Sequence, residues 1–155
     1  MNAAEPYILI ELADALYGVR SADVQHVEML EHLTPVPNAA PAIQGVVFSR
    51  GKVVPALNLR VRFGLAPTPP TPKTRLVFLK LPGRVVALIV DSAREFRSIP
   101  ADAIKPIEET LHGIDGHYVR GLATIQNRLV LLLDIPAILA RDDIPEPAAP
   151  LPVTS

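Results

Sequence analysis

The side chains that could carry catalysis are few and are spread along the chain. There is no cysteine, and the four histidines are His26, His32, His112 and His117. No two of them have the i, i+4 spacing that places metal ligands on one helical face, so structural or solvated histidines are predicted. No serine stands in a Gly-x-Ser-x-Gly nucleophile elbow. The sequence therefore predicts neither a metal site nor a nucleophilic serine.

Two further patterns typical of enzymes are also missing. Glu108 and Glu109 are adjacent, but they lie in a polar stretch where exposed, ionised carboxylates are expected instead of a general acid and base. The eight glycines are scattered singly, so there is no glycine-rich phosphate loop. We predict from these patterns a protein that is not an enzyme and that holds no cofactor.

Basic residues are concentrated in one stretch, although the net charge is only −1. Phosphate neutralisation supplies most of the affinity for nucleic acid, so a chain without a basic excess is not expected to bind it. Arg50 is predicted near a hairpin tip beside Gly51, where its guanidinium is free to bind carboxylates or carbonyls of a protein partner. For Arg60 and Arg62, the alternative to a contact role is a solvated strand edge that resists unwanted strand pairing.

Short strands joined by tight turns are the elements predicted to position these residues. About ten strands and one closing helix over 135–141 are expected, with Asp134 as the helix N-cap. The absence of alternating strands and helices excludes a doubly wound α/β fold. The predicted hairpins turn at Ala13 with Asp14, at Gly51, at Pro82 with Gly83, and at Gln126 with Asn127.

Composition favours one all-β protein with an aliphatic core. Of the 155 residues, 49% are hydrophobic and only 5% are aromatic. Residues 66–73 are rich in proline and predict a stiff surface linker, and residues 142–155 predict a disordered tail. Neither a signal peptide nor an apolar run long enough for a membrane helix is present, which favours the cytoplasm.

The order of several segments resembles the CheW-like domain, the coupling module of bacterial chemotaxis, over nearly the whole chain from residue 7 to 139. Each segment is weakly specific, whereas the ordered set is strongly so. In chain order the segments are VQHVE (24–28), TPVPN (34–38), IQGVV (43–47), RGKVVPALNLR (50–60), RFGL (62–65), ALIVD (87–91), IKP (104–106), YVRGLA (118–123) and LLLDI (131–135).

This resemblance implies two five-stranded SH3-like β-barrels that share a core over residues 7–141 and end in a short helix. It also implies an adaptor that couples chemoreceptors to the regulatory domain of the histidine kinase CheA, at the inner face of the membrane but not inserted in it. A receptor tip would enter the groove between the barrels, and barrel ends would dock on the kinase. The residues expected to face a partner are Arg50, Val36, Val47, Val86, Arg60 and Arg62. For the three valines, a position in the core is the alternative.

Three departures from the family pattern leave the identity of the partners open. Phe48 and Ser49 replace the usual Asn-Leu, so Phe48 either alters the turn or presents an apolar contact. Asn58 replaces the usual Asp, which removes a possible anchor for Arg60 or Arg62. An adaptor of a non-flagellar chemosensory array is therefore an alternative. A different class of function is an SH3-like barrel that binds RNA or a peptide.

Overall fold

The computed structural model describes residues 4–107 and 118–140, and strands dominate these ranges. Residues 142–155, Glu108, Glu109, His112 and His117 lie outside the described part of the chain. The described strands are β1 (Ala4–Leu12), β2 (Ala15–Arg20), β3 (Val24–Met29), β4 (Ile43–Ser49), β5 (Lys52–Asn58), β6 (Arg75–Leu81), β7 (Arg84–Val90), β8 (Ser92–Pro100), β9 (Val119–Ile125) and β10 (Arg128–Leu133), and the α-helices are α1 (Leu59–Arg62) and α2 (Ile135–Leu139).

Tight turns form the hairpins at all four predicted places. A two-residue loop with positive φ at both positions matches the twist of antiparallel strands. In the β6–β7 hairpin the loop consists of Pro82 and Gly83, and only Gly83 has a positive φ, of 80°. The other three loops have both residues at positive φ: Ala13 and Asp14 (49° and 67°), Arg50 and Gly51 (52° and 78°), and Gln126 and Asn127 (50° and 64°).

The strands form two sheets with the same internal arrangement. The first has the order β8-β1-β2-β10-β9 and the second the order β3-β6-β7-β5-β4. In each sheet two antiparallel hairpins meet at one parallel contact, which is β2 with β10 in the first and β5 with β7 in the second. The predicted all-β protein with two five-stranded subdomains and a short C-terminal helix is confirmed.

The second sheet is inserted into the first along the chain. Its strands all lie between Val24 and Val90, whereas the first sheet combines β1 and β2 with β8, β9 and β10. Asp91 marks the crossing point, because β7 ends before it and β8 then pairs with β1. The backbone N–H of Asp91 donates to the carbonyl oxygen of Glu11 over 3.1 Å, which brings the two sheets together at this point.

Apolar side chains from both sheets meet in a shared core. Leu12, Leu57, Leu88 and Leu133 are at most 1% exposed in this cluster. Smaller clusters fill each sheet separately, and Phe78 belongs to that of the second sheet. Fully burying a side chain of this size contributes about 1.5–3 kcal/mol, so the shared core is the main force that holds the sheets together.

The two short helices follow equivalent strands and begin with a side-chain cap. Asp134 Oδ1 accepts from Ala137 N over 3.1 Å, as predicted for the cap of α2. Asn58 Oδ1 accepts from Arg60 N over 3.0 Å and caps α1. The alternative of a solvated strand edge for Arg60 and Arg62 is therefore wrong, because both residues lie on α1. Asn58 is the last residue of β5 and also the N-cap of α1, because its side chain accepts a hydrogen bond from a backbone N–H of the first helical turn.

Candidate partner-binding site

Arg50 stands at the tip of the β4–β5 hairpin with its side chain exposed. Its φ of 52° is in the left-handed region, which a residue with a Cβ enters at a cost of roughly 1–2 kcal/mol. Gly or Asn would fill this position with less strain. A guanidinium at a strained and exposed turn makes little contribution to folding, and it is well placed to contact another molecule.

An exposed apolar surface lies directly behind this tip. Phe48 on β4 faces Val53 on β5 across the ladder, and they are 75% and 60% exposed. Lys52 is also exposed and adds a second positive charge near Arg50. We call this set of four residues, Phe48, Arg50, Lys52 and Val53, the hairpin patch. Its centre is apolar and its rim is cationic, and an apolar centre with a polar rim is the usual organisation of a protein interface.

The side chains beneath the tip form a compact polar cluster. Ser49 Oγ donates to Glu28 Oε2 over 2.6 Å, and His26 Nε2 is hydrogen-bonded to the same carboxylate oxygen. The imidazole ring stacks on Phe78 with 4.3 Å between ring centroids. The hydroxyl of Ser49 is the main cause of a lowered pKa at Glu28, and His26 and the charge of Arg50 lower it further.

This cluster contains serine, histidine and a carboxylate, but it is not arranged as a catalytic triad. A triad needs the carboxylate on one ring nitrogen and the serine on the other, so that the histidine can accept the serine proton. Here Ser49 and Glu28 both approach Nε2 of His26, with Ser49 Oγ at 3.4 Å, and Nδ1 is buried without a hydrogen-bond partner among the described residues. The Ser49 hydroxyl donates its hydrogen bond to Glu28, so it is not arranged for activation by His26.

Arg60 is held within the protein and does not extend into solvent. Its Nε and Nη2 donate to the two carboxylate oxygens of Asp91 over 2.8 and 2.6 Å, and Nη1 donates to the carbonyl of Ala66 over 3.0 Å. The side chain of Arg60 is 17% exposed. The family pattern indicates residue 58 as the anchor for Arg60 or Arg62, whereas in this structure Asp91 supplies the carboxylate that binds Arg60.

The remaining residues expected to face a partner are divided between surface and interior. Val36 is 39% exposed and lies just beyond Thr34, which forms an antiparallel bridge with Val46 of β4. Val47 and Val86 are 5% and 0% exposed, so their side chains are in the core. Arg62 is also buried, at 6%. Among the residues expected from the sequence, the structure thus places only Arg50 and Val36 on the surface.

Two features of the site depend on pairing that the sequence does not show directly. Phe48 departs from the family pattern in the sequence itself, but its position opposite Val53 follows from the register of the hairpin. Ser49 and Glu28 are 21 residues apart, and only the sheet topology brings them together. Buried and exposed side chains alternate along β4, and Phe48 lies on the exposed face between buried Val47 and Ser49. This alternation is the local signal of an exposed aromatic residue.

A family model described as the CheW-like domain matches residues 6–143. The chain belongs to the CheW-like domain family. Similar relatives include the Chemotaxis protein CheW of Klebsiella aerogenes, which is 27% identical over 143 residues that cover 92% of this chain and 86% of that protein. The Chemotaxis protein CheW of Bacillus subtilis is 25% identical over 142 residues, covering 92% and 91%. Protein FrzA of Myxococcus xanthus is 32% identical over 103 residues, covering 66% of this chain and 64% of FrzA.

The structural comparison agrees with this membership of the CheW-like family. The crystal structure of the scaffolding protein TtCheW from Thermoanaerobacter tengcongensis superposes with a TM-score of 0.82 at 25% identity, covering 91% of this chain and 96% of that one. The two SH3-like subdomains expected from the sequence are thereby confirmed. Within residues 4–107 and 118–140, no helix combines the length and apolar character needed to cross a membrane.

Proposed function

We propose that this CheW-like protein is a chemotaxis scaffold that couples chemoreceptors to the regulatory domain of the histidine kinase CheA. Membership of the CheW-like family supports the scaffold role, and so does the similarity to a protein described as a scaffold. Residues 7–141 would act as one CheW-like unit, with 66–73 as a surface linker. The protein would work in the cytoplasm and reach the membrane face only through receptor complexes.

The observation that carries the proposal is the hairpin patch. Exposed large apolar side chains beside unpaired basic groups are suited to a partner surface that offers apolar side chains ringed by carboxylates. Phe48 and Val53 would supply most of the buried area, while Arg50 and Lys52 would set orientation and the rate of association. We propose this hairpin face, with Val36 on the neighbouring segment, as the kinase-binding surface. Val47, Val86, Arg60 and Arg62 would support the surface from within.

A scaffold needs no chemical step, and the site is consistent with that role. The serine in the cluster beneath the tip donates its hydrogen bond to a carboxylate, and the histidine does not stand between serine and carboxylate as it does in a catalytic triad. In the described ranges, no three histidine, aspartate or glutamate side chains are grouped closely enough to hold a metal ion. We therefore propose a protein that is not an enzyme, whose activity consists of binding two partners at once.

Substitution of Arg50 tests the proposal. Arg50→Ala is expected to weaken binding to the purified CheA regulatory domain about tenfold, which corresponds to loss of a charged contact. Arg50→Glu is expected to be weaker still, because it places a carboxylate opposite the partner's acidic groups. Isothermal titration calorimetry with wild type and both variants measures the effect, and melting temperatures show that folding is retained.

Arg128→Ala is the matched control, since it removes one exposed positive charge from β10, which belongs to the first sheet. It is expected to leave affinity unchanged. Equal affinity of wild type and Arg50→Glu for the kinase domain would refute the proposal. A large fall in the melting temperature of Arg50→Ala would instead assign Arg50 a structural role.

A second candidate is an adaptor of a non-flagellar chemosensory array. The similarity to FrzA favours it, as do the departures at Phe48 and Asn58 from the family pattern. Nothing in the comparisons favours a barrel that binds RNA or a peptide. Purification of the tagged protein from its native host, with identification of the bound kinase and receptors, distinguishes a chemotaxis array from a non-flagellar chemosensory array.

A further inference from the structure

The open side of the second sheet is closed by side chains. Strands β3 and β4 are the two edges of that sheet, since β3 pairs with β6 and β4 pairs with β5. Ser49 lies on β4 and Glu28 on β3, so their 2.6 Å hydrogen bond joins the two edge strands directly. An edge that is joined in this way cannot splay from its opposite edge without breaking the bond.

We propose that Glu28 and Ser49 form an edge clasp that positions Arg50 for its partner. The partner part of this inference rests on the proposed function, while the closing of the sheet does not. Neither residue would contact the partner. Both would act through the hairpin tip, as positioning residues.

Backbone contacts fix the lower part of the same seam. Thr34, just beyond β3, exchanges two backbone hydrogen bonds with Val46, of 2.9 and 2.8 Å. Ser49 lies three residues further along β4 and is the last residue of the strand before Arg50. The edge clasp is thus the side-chain link between β3 and the residue that enters the turn.

The donors of the clasp are shielded from water, while its acceptor is partly exposed. Ser49 is 8% exposed and the side chain of His26, whose ring lies against Phe78, is 12% exposed, whereas the side chain of Glu28 is 40% exposed. A hydrogen bond to an ionised acceptor contributes more than a neutral one, and shielding from water increases the difference. Glu28 accepts from both Ser49 and His26, and this arrangement keeps its carboxylate in one place.

Position matters at this tip because the turn itself is under strain. Arg50 has the left-handed φ of 52° and is followed by Gly51, the most permissive residue type. Such a turn relaxes readily into other conformations unless its flanking strands are restrained. The Ser49 hydroxyl is the main cause of the lowered pKa of Glu28, and the opposite charge of Arg50 is a smaller cause, so a weak attraction acts between this carboxylate and the guanidinium. The clasp therefore restrains the turn and biases the direction of the arginine.

Hydrogen exchange in the free protein tests the clasp without any partner. Ser49→Ala and Glu28→Ala are each expected to speed exchange of the Lys52 and Val54 amides about tenfold, because a hydrogen bond to a charged group is lost. The double variant is expected to exchange no faster than either single one, since both remove the same bond. Ser49→Thr keeps a hydroxyl and is expected to restore slow exchange. Glu31→Ala, which removes a nearby exposed carboxylate, is the control and is expected to have no effect.

Affinity for the purified CheA regulatory domain then tests the positioning role. Ser49→Ala and Glu28→Ala are expected to weaken binding about three- to tenfold, less than Arg50→Glu, because the contact residue itself is retained. Unchanged exchange in both alanine variants would overturn the clasp, whatever the kinase does. Faster exchange with unchanged affinity would overturn the positioning role. Failure of the wild-type protein to bind the kinase would instead refute the proposed function, and the exchange result would stand apart from it.

Discussion

At the residue scale, Arg50 stands at a turn position where another residue type would make the fold more stable. The backbone at this position is left-handed, and Arg has no means of reducing the cost with its own side chain. Asn tolerates this conformation because its short amide bonds to the local backbone. The best residue for folding and the best residue for partner binding are therefore different.

This difference gives a prediction for stability. Arg50→Asn is expected to raise the free energy of unfolding by about 0.5–1 kcal/mol. Urea unfolding followed by far-UV circular dichroism measures it. Lys52→Asn is the control, because Lys52 lies in β5 and gains nothing from Asn. A less stable Arg50→Asn protein would contradict the idea that the turn is strained.

At the scale of elements, the contact between the β3–β4 connection and β4 depends on a glycine. A Cβ on Gly45 would lie 2.3 Å from the carbonyl oxygen of Thr34, which is closer than any real Cβ contact. The register of β4 against β5 shifts at this same point, between Ile43 and Gly45. The Thr34–Val46 bridge can form only because residue 45 has no side chain.

Gly45→Ala is accordingly expected to lower the free energy of unfolding by about 3 kcal/mol, because a backbone atom must move to admit the methyl group. Chemical denaturation provides the measurement. Gly64→Ala offers a comparison, since a Cβ there meets no atom within 4 Å and only its φ of 78° is unfavourable. A smaller loss at Gly45 than at Gly64 would argue against the close approach.

The hairpins were predictable from the sequence because their determinants are local. Gly51, the Pro82–Gly83 pair and Asn127 each specify a turn from within a few residues. The helix α1 was missed because four residues with a β-branched Val61 carry almost no periodic signal. Its caps, Asn58 at the start and Gly64 after the end, were the available evidence.

The site was predicted less completely because most of it depends on distant pairing. Exposure of Arg50 followed from its place beside a turn glycine. The fork between Arg60 and Asp91, 31 residues apart, and the clasp beneath Arg50 require knowledge of which strands are neighbours. The valines could not be assigned to surface or core until the register of each strand was known.

At the scale of the whole molecule, one ion pair links the two sheets. Asp91 receives the fork of Arg60 from α1, and its Oδ2 also accepts from the backbone N–H of Ala13, in the β1–β2 turn of the first sheet. The hydrogen bonds from Arg60 are the largest cause of a lowered pKa at Asp91. A carboxylate whose pKa is lowered in the folded state stabilises the fold fully when the pH is above its unfolded-state pKa. This contribution is lost as the pH falls through the folded-state pKa.

Asp91→Asn is therefore expected to cost about 2–3 kcal/mol of unfolding free energy at pH 7. The gap between variant and wild type should narrow as the pH falls below about 3.8, the ordinary pKa of an aspartate, because the unfolded wild-type chain then takes up a proton. It should close only when the pH falls below the lowered folded-state pKa of Asp91. Urea titrations at pH 7 and at pH 3 measure both effects. A gap of the same size at the two pH values would show that ionisation of Asp91 does not matter.

The insertion of one sheet within the other affects how the protein is made. All strands of the second sheet leave the ribosome consecutively, so that sheet can assemble during translation. The first two strands must wait, since their partners β8, β9 and β10 are synthesised last. Until then the early hairpin exposes Ile8, Ile10 and Leu12 to water, and a nascent chain in this state is a natural client for chaperones.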